Sequence, residues 1–307
     1  MFFKNNIQNI IKEKRHYYAP ILNGLLEYET WKYFSEQGFI FFTLPELNQA
    51  YAHKKLVFEF NIDNTEFELN NSQAMRMTAI SSIYDKVFSI NRCFRKETNK
   101  EKTHLIEFKM LEMEFSINQE KDIFILIDNY LHYIITWFNF YIQNNHLETI
   151  FSPKETKFPI ACKKYENIFE DYLKHGKKLN FDRYGFSDFD ITNDIKEPLY
   201  ITYYPHEGNW RAKKKDEKYS FLYNLVLPYG FGELVEFSIR ETNYEYYESK
   251  FNLLGLTKNY QWYLDAIKNI NTIKAGLGLG IERLGSWLMN LDKIDDQLVF
   301  PRTPDRR

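Results

Sequence analysis

Cysteine is scarce in this sequence, with only Cys93 and Cys162 among 307 residues. Two cysteines cannot build a disulfide framework or a cysteine-rich zinc site. Long apolar runs are also missing, because polar residues such as Asp128 and His132 interrupt the most apolar stretch, 123–142. A membrane helix needs about 20 nearly uninterrupted apolar residues. The first residues are too polar for a secretory signal peptide, so we expect a cytoplasmic protein without a membrane segment.

An excess of positive charge is absent as well. Forty basic residues oppose forty-two acidic ones, which gives a formal net charge of -2. A protein whose main task is to hold nucleic acid usually carries a basic excess, because phosphate neutralisation dominates its affinity. A local basic patch is a candidate at Lys213, Lys214, Lys215 and Lys218, although a lysine run is usually a solvated surface.

The sequence does contain enough apolar residues, 44%, to bury a large core. Its patterns predict irregularly alternating strands and helices, which indicates an α+β fold with a mostly antiparallel sheet. The clearest element is a long hairpin with arms at 86–95 and 105–117. Further predicted helices lie at about 21–37, 120–144, 165–175, 244–253 and 281–290, with another that starts after the N-cap candidates Asn71 and Ser72. Further predicted strands lie at about 39–43, 57–60, 66–69, 200–203, 221–227, 234–240 and 275–280.

The first candidate motif lies on this hairpin. It consists of Phe-Arg-Lys-Glu at 94–97, followed by His104, Phe108 and Glu112. Phe108 and Glu112 share one face of a strand and are about 13 Å apart, roughly the length of an aminoacyl-adenylate. One sheet could therefore stack a base on Phe108, hold a phosphate with Arg95 and anchor an ammonium group with Glu112. The structural alternative is a charged, solvent-facing hairpin with Phe108 in the core.

The second motif is Gly-Leu-Gly-Leu-Gly-Ile-Glu-Arg at 276–283. Alternate glycines leave one strand face without side chains, so a flat ligand could lie against the backbone. Arg283 then falls in the first turn of a helix, where phosphate is favoured. The spacing fits neither a dinucleotide-binding loop nor a P-loop. A tight strand-to-helix turn explains the glycines of this motif nearly as well.

Together and in this order, the two segments resemble motifs 2 and 3 of class II aminoacyl-tRNA synthetases. The helix, strand and Pro45 near the start resemble motif 1, which builds the dimer interface in that class. The resemblance implies a single catalytic domain over residues 1–307, with a helical insertion at about 119–185, in a homodimer. Finer matches to the aspartate/asparagine branch lie at 85–88, 104–108, 202–205, 262–265 and 300–304.

The resemblance also implies a role for each motif residue. Arg95 would hold the α-phosphate of ATP and Arg283 the γ-phosphate, with Phe108 stacked on adenine. Glu97, His104 and Gly280 would complete the ATP site. Glu233 matches a carboxylate that binds Mg²⁺, while Asn224 stands where the family has a second acidic group. We expect catalysis to depend on Arg95, Glu233 and Arg283.

The acid to be activated is predicted from a second set of residues. Gln73 and Arg76 lie three apart on a predicted helix and so share a face. The resemblance places Gln73 and Glu112 at the substrate amino group, and Arg76 and Arg240 at its side chain. Two guanidinium groups in one pocket favour an anion, because an unpaired buried charge is costly. We therefore expect an aspartate-like acid.

The chain departs from the family at three places beside the pocket. Ala-His-Lys at 52–54 replaces the closing loop, Glu-Phe at 236–237 replaces small residues, and Ile-Lys at 273–274 replaces Pro-His. Bulk at 236–237 could exclude aspartate in favour of a related acid. Glu233 and Arg240 also have opposite strand parity, so they can face one site only across a β-bulge.

The acceptor is predicted from the ends of the chain and its charge. About fifteen residues precede the first matching helix, too few for the anticodon-reading barrel of the family. With the missing basic excess, this disfavours tRNA and predicts an AMP-forming ligase that passes the activated acid to ammonia, as in asparagine synthetase-like relatives. One alternative is a ligase acting on a tRNA, a peptide or a small-molecule amine. Another is a non-catalytic regulatory paralogue that binds ATP or an amino acid.

Overall fold

The structure, a computed structural model, describes residues 2–49, 57–97, 102–177, 180–182, 185–186 and 188–304. The substituted closing-loop segment 52–54 lies outside these described residues, as do Lys100 and Glu101 of the predicted hairpin loop.

Helices and strands fall close to the predicted positions. The helices are α1 (Phe2–Lys12), α2 (Lys14–Glu36), α3 (Ala74–Ile80), α4 (Lys121–Asn144), α5 (Tyr165–Lys174), α6 (Asp188–Thr192), α7 (Tyr244–Leu253), α8 (Gln261–Ile267) and α9 (Ile281–Leu288), with a 3-10 helix at Ile294–Gln297. The strands are β1 (Ile40–Phe41), β2 (Leu47–Gln49), β3 (Glu59–Ile62), β4 (Thr65–Leu69), β5 (Lys86–Phe94), β6 (Glu107–Ser116), β7 (Ala161–Lys164), β8 (Phe181–Asp182), β9 (Gly185–Phe186), β10 (Leu199–Thr202), β11 (Leu222–Leu227), β12 (Gly232–Ile239) and β13 (Lys274–Gly280). Helices α1, α6 and α8 and the short strands β2, β7, β8 and β9 were not predicted.

The main sheet has eight strands in the order β1-β5-β6-β13-β12-β11-β10-β7. The inner pairs are antiparallel, and only the edge pairs β1–β5 and β10–β7 are parallel. The predicted α+β class with a mostly antiparallel sheet is therefore confirmed. Because β7 joins this sheet, the segment at 119–185 is not purely helical. Its description as an insertion into one domain stays a prediction.

The two faces of the sheet differ because side chains alternate along each strand. On β5 and β6, Phe88, Leu111 and Met113 point to one face and are at most 1% exposed. That face carries the main core, where aromatic residues such as Phe34 of α2 and Tyr130 of α4 pack in contact. The same core includes α9. This face is therefore closed by helices.

The opposite face carries polar side chains and is crossed by the short helix α3. Thr78 of α3 donates a hydrogen bond to Glu114 of β6 at 3.1 Å. Helices α7 and α8 form a separate aromatic cluster, and Met75 and Ala79 of α3 pack against it. Across the described ranges, none of the helices is long and apolar enough to cross a membrane.

Candidate active site

The polar face brings the two sequence motifs together. Strand β13 pairs with β6 on one side, with Gly276 opposite Glu114 and Gly278 opposite Glu112. It pairs with β12 on the other side, with Gly276 opposite Ser238. The glycine-rich strand β13 is therefore the middle strand of a three-stranded floor, with the carboxylates of β6 on one side and β12 on the other.

A buried ion pair fills one end of this floor. Arg240, 8% exposed, donates from Nε and Nη2 to Oε1 of the fully buried Glu114, each at 2.7 Å. Its Nη1 donates to Ser238 Oγ at 2.6 Å. A Cβ added at Gly276 would collide with both Arg240 and Glu114. The glycine face at 276 is thus occupied by the ion pair and is not an open floor for a flat ligand.

The ion pair leaves one carboxylate oxygen of Glu114, Oε2, available to accept a hydrogen bond. Glu114 Oε1 also accepts from Thr78, whereas Oε2 is buried and has no hydrogen-bond partner among the described residues. A guanidinium donor and an unused carboxylate acceptor therefore lie side by side. We call Arg240, Glu114 and Gly276 the acid end of the site.

Glu112 lies next to the acid end and is 2% exposed. Its carboxylate accepts from Ser72 Oγ at 2.6 Å and from the Gln73 backbone amide at 2.8 Å. Burial raises the pKa of Glu112, and these hydrogen bonds together with the charges of Arg211 and Arg240 oppose that rise. The arrangement holds a carboxylate in a dry position, where it can hold an ammonium group.

Gln73, the N-cap residue of α3, and Arg76 in its first turn lie on the same side of the helix, as the spacing predicted. Arg76 donates to Gln73 Oε1 at 2.7 Å and to Asn48 Oδ1. Gln73 in turn donates to the Pro45 carbonyl at 2.6 Å. The half-buried Arg76 therefore contacts at least two neutral side chains on the β2 side of α3.

Arg95 and Phe108 meet at the opposite end of β5 and β6, which we call the nucleotide end. The guanidinium of Arg95 lies over the Phe108 ring, 5.1 Å from its centroid. The Arg95 amide donates to the Ile106 carbonyl at 2.9 Å, and the Glu97 amide donates to the Arg95 carbonyl at 2.7 Å. The hairpin therefore places a cation against an aromatic face of the kind predicted to stack a base.

Arg283 joins three chain segments at this end. It is the third residue of α9, which begins directly after Gly280, and it donates to the backbone carbonyls of Glu233 and, at 3.1 Å, Thr103. The next residue, His104, lies within 3.3 Å of the Thr103 hydroxyl through Nδ1. Both motif arginines therefore lie at the nucleotide end, on segments far apart in sequence.

The bulge required by strand parity is present. Val226 pairs with Glu233 and Leu225 with Val235, so Leu234 is an extra residue in β12. This shift puts Glu233 on the face of Asn224, whose amide donates to Glu233 Oε2 at 3.0 Å. Among the described residues, no group of three or more His, Cys, Asp or Glu side chains is placed to hold a metal ion.

The prediction that Glu236 and Phe237 add bulk beside the pocket is only half right. Phe237 stacks on Tyr223 in the core, with ring centroids 5.0 Å apart, so it does not narrow the pocket. Strand alternation leaves Glu236 alone on the polar face, opposite Gly278. The prediction that Phe237 restricts the substrate is therefore wrong, because adjacent strand residues face opposite ways.

Two buried carboxylates were missed by the sequence analysis. Glu114 follows Glu112 by two residues, so strand parity alone would have placed it on the same face. Glu282, 3% exposed, accepts from the Lys109 amide at 2.9 Å and so joins α9 to β6. Burial raises the pKa of Glu282 to about 7, opposed by the Lys109 hydrogen bond.

These features define the class. An antiparallel sheet with an arginine on its central hairpin, and a glycine strand leading into a second arginine, is the class II synthetase catalytic core, whose members are AMP-forming ligases. The family described as tRNA synthetases class II (D, K and N) matches residues 23–304. The chain belongs to this family.

Known relatives agree with this assignment. The chain is 26% identical to the asparagine–tRNA ligase of Lactobacillus johnsonii over 319 residues, covering 99% of this chain and 73% of the relative. It is 27% identical to the Clostridium botulinum counterpart, over 89% of this chain and 67% of the relative, and 28% identical to the Mycoplasma genitalium counterpart, over 98% of this chain and 73% of the relative. Asparaginyl-tRNA synthetase of Pyrococcus horikoshii complexed with asparaginyl-adenylate superimposes with a TM-score of 0.84 at 22% identity, over 97% of this chain and 71% of that one.

The predicted transfer to ammonia is wrong, because the relatives matched over nearly the whole chain are asparagine–tRNA ligases. The prediction relied on the residues before the first matching helix and on the net charge. Neither feature touches the place where an acceptor attacks. The argument that disfavoured tRNA rested on the same features and carries no weight.

Proposed function

We propose that this chain activates asparagine with ATP and transfers the asparaginyl group to tRNA. The observation that carries the proposal is the acid end, where Arg240 offers donors beside an unused oxygen of Glu114. An amide side chain has one oxygen acceptor and one NH₂ donor, so it complements this pair. A carboxylate would place negative charge against Glu114, which costs several kcal/mol.

The same ion pair revises the predicted aspartate-like substrate. Arg240 is already neutralised by Glu114, so it does not present a free positive charge to a second carboxylate. Arg76 contacts Gln73 and Asn48 and donates to their neutral oxygens. The asparagine–tRNA ligases among the relatives support the neutral amide as well.

Activation would proceed by attack of the asparagine α-carboxylate on the α-phosphorus of ATP, with pyrophosphate leaving. Arg95 and Arg283 are placed to stabilise the phosphate charge from two sides. The adenine ring would take the face of Phe108 that Arg95 now covers, so Arg95 must move toward the phosphates. A hydroxyl of the terminal tRNA ribose then attacks the acyl carbon, and AMP leaves.

Magnesium fits the residues at the nucleotide end. Glu233 supplies a hard carboxylate oxygen, and Asn224 is hydrogen-bonded to it. Mg²⁺ in such enzymes usually has few protein ligands, because one or two carboxylates hold it together with substrate phosphates and water. When bound, the ion would neutralise charge on the triphosphate, and Glu233 and Asn224 are the residues that would hold it.

A homodimer is part of the proposal. Exposed apolar side chains, including Trp31 at 41% and Phe41 at 37%, surround a cleft of about 270 Å³ near α2. A patch of this kind marks an interaction surface. Light scattering should report twice the chain mass, and Trp31→Asp should shift the protein toward monomer. A monomeric parent protein would contradict this part.

Two assays test the function. Asparagine should support ATP–pyrophosphate exchange, and labelled asparagine should enter the acid-precipitable tRNA of the source organism. Exchange with aspartate in place of asparagine would contradict asparagine as the substrate. Exchange with asparagine but no labelled tRNA would contradict tRNA as the acceptor. The cytoplasmic location stays a prediction.

A further inference from the structure

A short hairpin extends the sheet beside the acid end. Ala212 pairs antiparallel with Arg240, and the Lys213 amide donates to the Ile239 carbonyl at 2.8 Å. The Phe221 amide donates back to the Lys213 carbonyl at 2.9 Å, and Lys214 pairs with Ser220. We call residues 211–221 the basic hairpin. Its backbone is fixed to the strand that carries Arg240.

The hairpin has a local excess of positive charge in a chain of net charge -2. Residues 211–218 contain five basic and two acidic side chains. Lys214 and Lys215 have exposed acidic partners, Glu217 and Asp216, each at 3.1 Å. Such exposed ion pairs are worth about 0–1 kcal/mol and are screened by salt, so they hold these lysines weakly.

Two exposed lysines of the hairpin are available to a partner. The ammonium groups of Lys213 and Lys218 have no hydrogen-bond or ion-pair partner within the part of the chain that the structure describes. Arg211, two residues before Lys213, is half-buried, and its charge acts on Glu112. Its guanidinium likewise has no such partner among the described residues. Arg211 therefore carries positive charge near the amino acid pocket, and the exposed Lys213 and Lys218 add charge along the hairpin that continues from it.

The triphosphate of ATP is not the anion for this hairpin. Lys213 is hydrogen-bonded to Ile239 at one end of β12, whereas Glu233 lies at the other end, where Arg283 contacts its carbonyl. Six residues of strand separate positions 233 and 239, roughly 20 Å. An anion at the hairpin must therefore come from a molecule that approaches the amino acid pocket from outside.

We propose that the basic hairpin binds backbone phosphates of the acceptor RNA near the end that receives the amino acid. The proposal rests on the proposed function, because it takes tRNA as the acceptor. Phosphate contacts dominate the affinity of proteins for nucleic acid, and here the net charge of the whole chain provides none of that attraction. The exposed lysines of the hairpin, which is joined to β12 at Arg240, would supply it locally.

The test compares two variants with equal changes in charge. Lys213→Glu/Lys218→Glu alters the hairpin, and Lys174→Glu/Lys258→Glu alters exposed lysines of α5 and the segment after α7. Both should keep asparagine-dependent ATP–pyrophosphate exchange within about twofold of the parent protein, because neither touches the activation site. Total tRNA from the source organism is the probe, and its Kd is measured over a range of salt concentrations.

The hairpin variant should bind this tRNA about 10–100 times more weakly than the control variant. The slope of log K against log salt should fall by about 1.4, since each single-strand phosphate contact contributes roughly 0.7. Equal tRNA affinity in the two variants overturns the proposal and leaves the proposed function intact if the parent protein charges tRNA. A selective loss of pyrophosphate exchange in the hairpin variant also overturns it, because the hairpin then serves activation. A parent protein that binds no tRNA overturns both.

Discussion

The acid end and the nucleotide end of the site hold their arginines in different ways. At the acid end, Arg240 is buried and bonded to a carboxylate, Glu114. At the nucleotide end, Arg95 lies over the Phe108 ring and Arg283 donates to backbone carbonyls. Phosphates bring their own negative charge and need cations held by neutral groups. A neutral side chain instead needs a fixed pattern of donors and acceptors, which a buried ion pair provides.

The largest expected effect comes from disturbing the acid end through Gly276→Ala. The added methyl group would collide with Arg240 and Glu114 and force the buried pair apart. Breaking a buried ion pair costs about 3–5 kcal/mol. We expect a loss of stability of this size in urea unfolding, and asparagine activation reduced more than 100-fold.

Gly280→Ala is the matched control on the same strand. Its Cβ would lie 3.5 Å from the nearest side-chain atom, an ordinary contact. If both alanine variants unfold at the same urea concentration, a methyl group at position 276 does not disturb the Arg240–Glu114 pair, and the prediction is contradicted.

A smaller effect is expected from Arg283→Lys at the nucleotide end. A lysine keeps the charge but cannot bridge two carbonyls with a planar fork. We expect KM for ATP to rise about 10–100-fold, with KM for asparagine nearly unchanged, in pyrophosphate exchange. Arg15→Lys is the control, because Arg15 also bridges two carbonyls, those of Met289 and Asn290, away from the site. Equal increases in the two Michaelis constants would contradict the separation of the two ends.

The smallest effect concerns the pH dependence of stability through Glu282. Its pKa is raised from 4.5 to about 7, so the folded protein binds a proton there more tightly than the unfolded chain. The resulting stabilisation is complete below pH 4.5 and is lost as pH rises through 7. Because each pKa unit corresponds to about 1.36 kcal/mol, this stabilisation is at most about 3 kcal/mol. Glu282→Gln should flatten this part of the stability profile between pH 5 and 8. An unchanged profile would show that another group titrates there.

Local patterns were enough to predict the hairpin, the glycine strand and most helices. Alternation with a period of two located β5 and β6, and the parity conflict between Glu233 and Arg240 correctly required the bulge at Leu234. These predictions depend only on residues that are close in sequence.

Long-range partners could not be predicted in the same way. Arg240 and Glu114 are 126 positions apart, and Arg283 and Thr103 are 180 positions apart. Without the partner, Arg240 counted as a free positive charge, which led to the aspartate-like substrate. The acceptor was misjudged for a different reason, because the net charge of a whole chain says little about which acceptor reaches its active site.

The most direct test of the proposed specificity is the ratio of kcat/KM for asparagine and aspartate in pyrophosphate exchange, measured for the parent protein and Glu114→Gln. We expect the parent to prefer asparagine by about 10³-fold or more, since the carboxylate of Glu114 repels a second carboxylate. The glutamine variant frees the charge of Arg240 and should reduce this preference at least tenfold. A parent protein that prefers aspartate, or a ratio that the substitution leaves unchanged, would contradict selection by the Arg240–Glu114 pair.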